Sequence, residues 1–424
     1  MLMFNKVLNK VDYLLLFILV ISLTLTISTQ VNLLWWIFYS TISLVFIFMP
    51  KIYGFECISF MIPFYGILYI PGYQRIILAY LVAFFIFVRY IKNAKDFLKP
   101  LGEINILFIL LMMSIILSLL NSRVFSFKDV DYLLIVVLLI FLRQIVPTSA
   151  ILIRKILMFY IFGLILSGCL GFYLHRGRDI YGQYFRIVGC GSDPNYFSRA
   201  LLFGISYIIL FLKDSFNLNK KWIIFLIIME LAISIEIIFT YSKMGVMILL
   251  LLLIIQVFTI FKDRKFYILF IMLLCGIALY SGVFSNTSII EIYQTKFKVE
   301  DINSFTTGRY NIQIASLEGW FKSNIGELIL GSGLLSQRMI AEKEIGRKSV
   351  AHSIYVQTLV EQGLLGFSIL FLLFYMFFKK GLKQGILISF IAYALCGLAL
   401  SGLFYWDQFL FYLIYDKYNI DIRN

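Results

Sequence analysis

The polarity of this chain alternates on a long scale, with apolar runs broken by short polar ones. Runs of about 18–20 apolar residues match the roughly 30 Å of a bilayer's hydrocarbon core at a helical rise of 1.5 Å per residue. The pattern predicts spans near 12–29, 31–49, 54–70, 74–91, 104–120, 130–146, 151–173, 196–212, 222–240, 245–261, 266–284, 350–378 and 384–402. A further piece, 403–415, is short for a crossing and either crosses or re-enters. The expected fold is therefore all-α, a polytopic helical integral membrane protein. It has about 12–14 transmembrane helices in a single domain over residues 1–424, because lipid forces backbone polar groups to pair within their own segment. The longest polar stretch, 285–349, is the one long loop, and it stands between late helices.

Composition agrees: 61% of the residues are hydrophobic and only 14% charged, more apolar surface than a soluble domain of this size can bury. The first apolar run lacks a small-residue cleavage site and is followed at once by a second, so it reads as a retained helix. Four of the five cysteines, Cys57, Cys169, Cys275 and Cys396, fall within spans and only Cys190 outside them, so no disulfide framework is implied.

The net charge of +14 changes the picture more. No basic stripe lies on a polar domain, so nucleic acid is not the expected partner; membrane lipids are. Lys6 and Lys10 put the amino terminus in the cytoplasm, and alternation then gives inner loops that are short and basic. Lys51, Arg89, Lys92, Arg143, Lys155, Lys213, Lys220, Lys262 and Lys379 all fall there. Two outer segments break this rule. The loop 285–349 is long, and long loops cross regardless of charge. The loop 174–199 is short, yet it holds His175, Arg176, Arg178, Arg186 and Arg199.

Outward cations beside lipid suit an anion, and arginine's planar fork grips phosphate oxygens at two points. The anion is either an ordinary headgroup or a lipid diphosphate. Asp193-Pro194-Asn195 caps the following helix, or orients the loop and its arginines. In Thr240-Tyr241-Ser242-Lys243-Met244-Gly245, Lys243 follows Glu236 by seven residues and shares its face if the helix continues. That makes it either half of an ion pair or a phosphate-binding lysine. Thr307-Gly308-Arg309-Tyr310 stands at an expected helix start, where free N–H groups favour anions. The segment 309–322 sets Ile312, Ala315, Trp320 and Phe321 among polar residues, as a helix lying on the bilayer surface would. His352 and Tyr355 lie one turn apart where the chain re-enters the membrane. His352 is either structural or the group that takes a proton, and Tyr355 either orients its ring or stacks on a sugar. Asp129-Val130-Asp131 is the one metal-binding candidate and lacks further ligands, so neither metal nor cofactor is expected. No phosphate-binding glycine loop, nucleotide fingerprint or Ser-His-Asp set is present.

In this order, the motifs resemble the bacterial O-antigen polymerase and O-antigen ligase superfamily. The resemblance covers roughly residues 160–375. It rests on Arg186 with Ser192-Asp193-Pro194-Asn195, then Thr240–Gly245, then Thr307-Gly308-Arg309, then His352-Ser353-Ile354-Tyr355 with Glu361-Gln362-Gly363. It implies a metal-independent glycosyltransferase of the cytoplasmic (inner) membrane with an outward-facing site. The substrates would be undecaprenyl-diphosphate-linked oligosaccharides, as donor and as acceptor. A chain-length regulator and a flippase are the protein partners it suggests. By the motif matches, Arg186 and Arg309 would hold the diphosphate and His352 would serve the acceptor hydroxyl. The family usually has arginine where this chain has Lys243, which keeps the charge but loses the fork. A polymerase joining repeat units is the expectation. A ligase moving the finished glycan to lipid A core or protein is the alternative. A transporter fits less well, since it should show two related halves and charges deep in several spans.

Overall fold

The computed structural model describes residues 8–68, 77–98, 102–121, 127–147, 149–174, 177–179, 185–190, 193–215, 220–260, 308–334, 336–346, 352–384 and 386–399. The expected all-α fold is what these residues form. The helices are α1 (Lys10–Thr29), α2 (Asn32–Phe48), α3 (Lys51–Met61), α4 (Ile77–Lys92), α5 (Glu103–Leu120), α6 (Phe127–Ile145) and α7 (Ala150–Tyr173). A two-stranded antiparallel ribbon follows, β1 (Gly177–Asp179) and β2 (Phe185–Ile187). Then come α8 (Pro194–Ser215), α9 (Lys220–Phe239), α10 (Lys243–Thr259), α11 (Arg309–Phe321), α12 (Ile325–Leu330), α13 (Ser336–Ile345), α14 (Ile354–Gln384) and α15 (Leu387–Ala399).

Five of these, α1, α7, α8, α9 and α14, are long and apolar enough to cross a membrane, and five shorter apolar helices accompany them. Their outer faces carry exposed large side chains such as Phe17, Leu231 and Phe371, as lipid-facing surfaces do. Inside, small residues let backbones approach. Gly163 of α7 lies against the Phe60 carbonyl of α3, and α8 is almost wholly buried.

One end of the bundle is held by cations. Lys155 pairs with Asp12 at 2.6 Å, both buried. Arg89 donates to the carbonyls of Phe46 and Met49, at 3.1 and 2.8 Å, and Lys92 donates to that of Ile47. These carbonyls end α2, where the helix leaves its last C=O groups unpaired and its dipole negative.

Three expectations need correction. The predicted span 54–70 is helical only to Met61, since the Ile62–Phe64 turn, with Pro63 in it, tightens to 3₁₀ geometry. The predicted span 350–378 is broken at Gly363, whose φ of 66° and ψ of −168° are not helical. The carbonyls freed by this kink, Val360 and Glu361, accept from the N–H groups of Ser332 and Gly333 at 3.1 Å each. Finally, Ile312, Ala315 and Trp320 do not face the bilayer. They are buried because α13 and α14 cover α11, and only Phe321 stands 70% exposed. The predicted span 266–284 and the piece 403–415 lie outside the described residues.

Candidate functional site

At the opposite end from Lys155, the ribbon, the α9–α10 turn and the starts of α8, α11 and α14 meet. Arg186 lies on β2, in register with Arg178 of β1. Its Nε donates to the Thr240 carbonyl at 2.9 Å and a terminal nitrogen donates to Asn195 Oδ1 at 3.2 Å. Asp193 Oδ1 accepts from the Asn195 N–H at 2.8 Å. Asp193 thus caps α8, and the same turn offers Asn195 to Arg186, so both readings of Asp193-Pro194-Asn195 coexist.

Helix α9 stops at Phe239. Tyr241 takes a left-handed conformation (φ 49°), and Ser242 caps α10 by accepting from the Gly245 N–H at 3.2 Å. Glu236 and Lys243 are therefore on separate helices, and the shared face expected of them does not form. Lys243 is half-buried at the start of α10 and does not line the cleft described next.

That small cleft is lined by Asn195, Ser198, Arg199, Ser242, Gly245 and Arg309, and also by the apolar side chains of Leu202, Met244 and Cys396. Three helices begin at its wall: α8 at Pro194, α10 at Lys243 and α11 at Arg309. Each start carries about half a positive charge, although Asp193 and Ser242 already accept one N–H each at the starts of α8 and α10. Gly308, at φ 81°, gives α11 no side-chain cap. Ser198 Oγ is buried and has no hydrogen-bond partner among the described residues. It faces Gly245, where any Cβ would collide with it. Arg199 is 2% exposed, its guanidinium 5.2 Å from the centre of the Tyr196 ring.

Burial pushes the Arg309 pKa down, and neighbouring Asp193 and Tyr196 oppose this. His352 sits just before α14 in a left-handed conformation (φ 49°). Burial first, then the Arg309 charge, brings its pKa down to about 4; Asp193 opposes, and Arg338 adds to the fall. His352, Arg309 and Asp193, far apart in sequence, thus share one electrostatic neighbourhood. Tyr355 is turned elsewhere. Its hydroxyl donates to the Ala394 carbonyl of α15 at 2.8 Å, and its ring meets Phe374 edge-on.

Sequence reasoning missed Ser198 and Arg338. Ser198 follows Asn195 by three residues, one helical turn on, which was the available signal. Arg338 had only its place among the cations of the long loop. His175, Arg176 and Thr307 lie outside the described residues, and so do the side chains of Asp129 and Asp131. Among the described residues, no three His, Cys, Asp or Glu side chains gather as a metal site would require. The chain matches no family model, and no curated protein matches it significantly.

Proposed function

We propose that this protein is a surface polysaccharide polymerase (O-antigen or capsule). On this reading it is a metal-independent glycosyltransferase at the outer face of the bacterial inner membrane, joining undecaprenyl-diphosphate-linked repeat units. The observation that carries the reading is the convergence of three helix N-termini with Arg199 and Arg309 on one small cleft beside His352. Fixed dipoles and guanidinium groups in a poorly hydrated site favour a multiply charged anion such as a diphosphate.

The chemistry follows from that arrangement. The acceptor hydroxyl oxygen bonds to the anomeric carbon of the donor glycan. The anomeric C–O bond to the diphosphate breaks, and the prenyl diphosphate leaves with the bonding electrons. The hydroxyl proton passes to His352. Arg199 and Arg309 offset the growing charge on the leaving group, while Arg186, committed to Asn195 and Thr240, braces the wall. Without substrate the His352 ring is neutral at pH 7, as a base must be. A bound diphosphate offsets Arg309 and so raises the ring's proton affinity when it is needed.

Deleting the gene and resolving the surface polysaccharide on a gel tests this. Single repeat units are expected. Long chains left on the lipid carrier would indicate a ligase, and an unchanged ladder would sink both. Purified enzyme is expected to work in EDTA; loss rescued by a divalent metal would move attention to Asp129 and Asp131.

A further inference from the structure

Helix α9 carries a carboxyl group that the cleft does not use. Glu230 stands midway along α9, about 15 Å from either end by helical rise. It is 6% exposed, and Gln256 of the adjoining α10 is 5% exposed. The Gln256 side-chain nitrogen donates to Glu230 Oε2 at 3.0 Å. Two acceptors are then left over. Glu230 Oε1 and Gln256 Oε1 are both buried and have no hydrogen-bond partner among the described residues.

The surroundings offer little to satisfy them. Gln256 is the one side chain among the described residues that acts on the Glu230 carboxyl; no cation from α7, α8 or α10 does. The hydroxyls one turn along each helix are committed to backbone. Ser234 donates to the Glu230 carbonyl at 2.7 Å, and Thr259 to the carbonyls of Ile255 and Gln256 at 2.7 and 3.4 Å. Turning the Gln256 amide over would set oxygen against Glu230 Oε2 and lose the one bond present. An ionised carboxyl in such a place is costly, and so is each buried acceptor left unpaired.

One proton removes the conflict. We propose that Glu230 binds a proton on Oε1 and donates it to Gln256 Oε1, so that acid and amide form a reciprocal pair inside the bundle. The inventory closes: the amide gives an N–H and takes an O–H, and the acid does the converse. A carboxylate can complete only half of that exchange. The bound proton comes from water, and the pair carries no net charge. It also bears on the cleft, whichever anion the cleft takes. Helices α9 and α10 are joined by the turn whose Thr240 carbonyl accepts from Arg186 and whose Ser242 caps α10. Two parallel hydrogen bonds beyond that turn fix the rotation of α10 against α9, and do so without placing a charge among apolar side chains.

Infrared difference spectroscopy on the full-length protein in nanodiscs reads the proton directly. At neutral pH, Glu230→Gln should remove one carboxylic acid C=O band and leave the carboxylate bands unchanged. Loss of a carboxylate signal instead would overturn the proposal. Thermal unfolding of the same preparations reads the pairing. Glu230→Gln still faces Gln256 with one N–H and one C=O, and should unfold at the wild-type temperature. Gln256→Leu strands the carboxyl and should unfold several degrees lower. Adding Glu230→Leu to Gln256→Leu removes both polar groups and should recover most of that loss. If Glu230→Gln unfolds as low as Gln256→Leu, the helix pair needs the charge and the proton is not there. Equal unfolding temperatures in all four proteins would mean that the two side chains are not paired, and would overturn the proposal as well. None of these outcomes bears on the polymerase reading, which rests on other residues.

Discussion

His352 holds a left-handed backbone conformation, which costs a residue other than glycine about 1–3 kcal/mol. Asparagine accepts that conformation readily and keeps a polar side chain, but cannot take a proton near neutral pH. His352→Asn should therefore insert and fold as well as wild type, yet lose roughly 100- to 10,000-fold in rate. Equal rates would remove His352 from the chemistry. The pH dependence has a definite sign. The base works unprotonated, so activity falls as pH drops through its pKa. For kcat/KM, which reports free enzyme, the acid limb should lie near 4. For kcat it should lie higher, because bound diphosphate offsets Arg309. Coincident limbs would argue against a diphosphate beside His352. Arg309→Ala should cost roughly 100- to 1,000-fold, with lysine restoring only part. Several residues of this neighbourhood were legible because each belongs to a short motif: Arg186, Asp193, Asn195, Arg309 and His352. The packing of Tyr355 on α15 and the break between Glu236 and Lys243 escaped the spacing for one reason. Spacing reports which residues share a helix face, provided the helix continues. It does not report that Tyr355's face packs on α15, nor that Tyr241 ends α9 before Lys243.

The elements show the same division between local and tertiary causes. The apolar runs made the helices plain, and the prolines and glycines that interrupt them were visible as letters but not as geometry. Gly363 is the clearest case. Its positive φ breaks α14, and the loop carrying Gly331 (φ 84°) docks in the break. Asn121 adds a hydrogen bond to the Gly331 carbonyl at 3.2 Å. A Cβ on Gly363 would strike the Ile329 carbonyl and the Gly331 nitrogen, both backbone. This contact fixes α11–α13, the segment that brings Arg309 and Arg338 to His352. Gly363→Ala should therefore undock the segment, let trypsin cut at Arg338 and Lys343, whose exposed side chains the docked helix α13 now holds in a helical backbone, and abolish activity, while the protein remains in the membrane. Gly102→Ala is the control, since a Cβ there meets nothing within 4 Å and helix α5 begins beyond it. Trypsin resistance equal to that of the control would show that the kink does not hold the segment.

At the scale of the whole molecule, helix direction sorts the charged groups between the two ends of the bundle. Helices α8 and α9 run oppositely, so Pro194 and Phe239 share one end and Ser215 and Lys220 the other. Arg186 bridges the first pair of ends through Asn195 and Thr240. Lys155 opens α7, whose far end leads to the ribbon carrying Arg186, so the Lys155–Asp12 pair belongs with Lys213 at the opposite end. The charges thus divide into one end where Arg89, Lys92 and Lys155 satisfy helix carbonyls and Asp12, and another where Arg186, Arg199 and Arg309 gather at a cleft. If short basic loops stay in the cytoplasm, the end holding Lys155 and Lys213 is inside and the cleft opens outward. Exposed positions can test this in a cysteine-free background. Lys343→Cys, on α13, should react with a membrane-impermeant maleimide in intact cells, whereas Lys213→Cys and Lys379→Cys should react only after the membrane is opened. The reverse pattern would turn the cleft toward the cytoplasm, where nucleotide sugars and not exported lipid-linked repeats are at hand. The polymerase reading would then fail, even with every residue of the cleft in its present place.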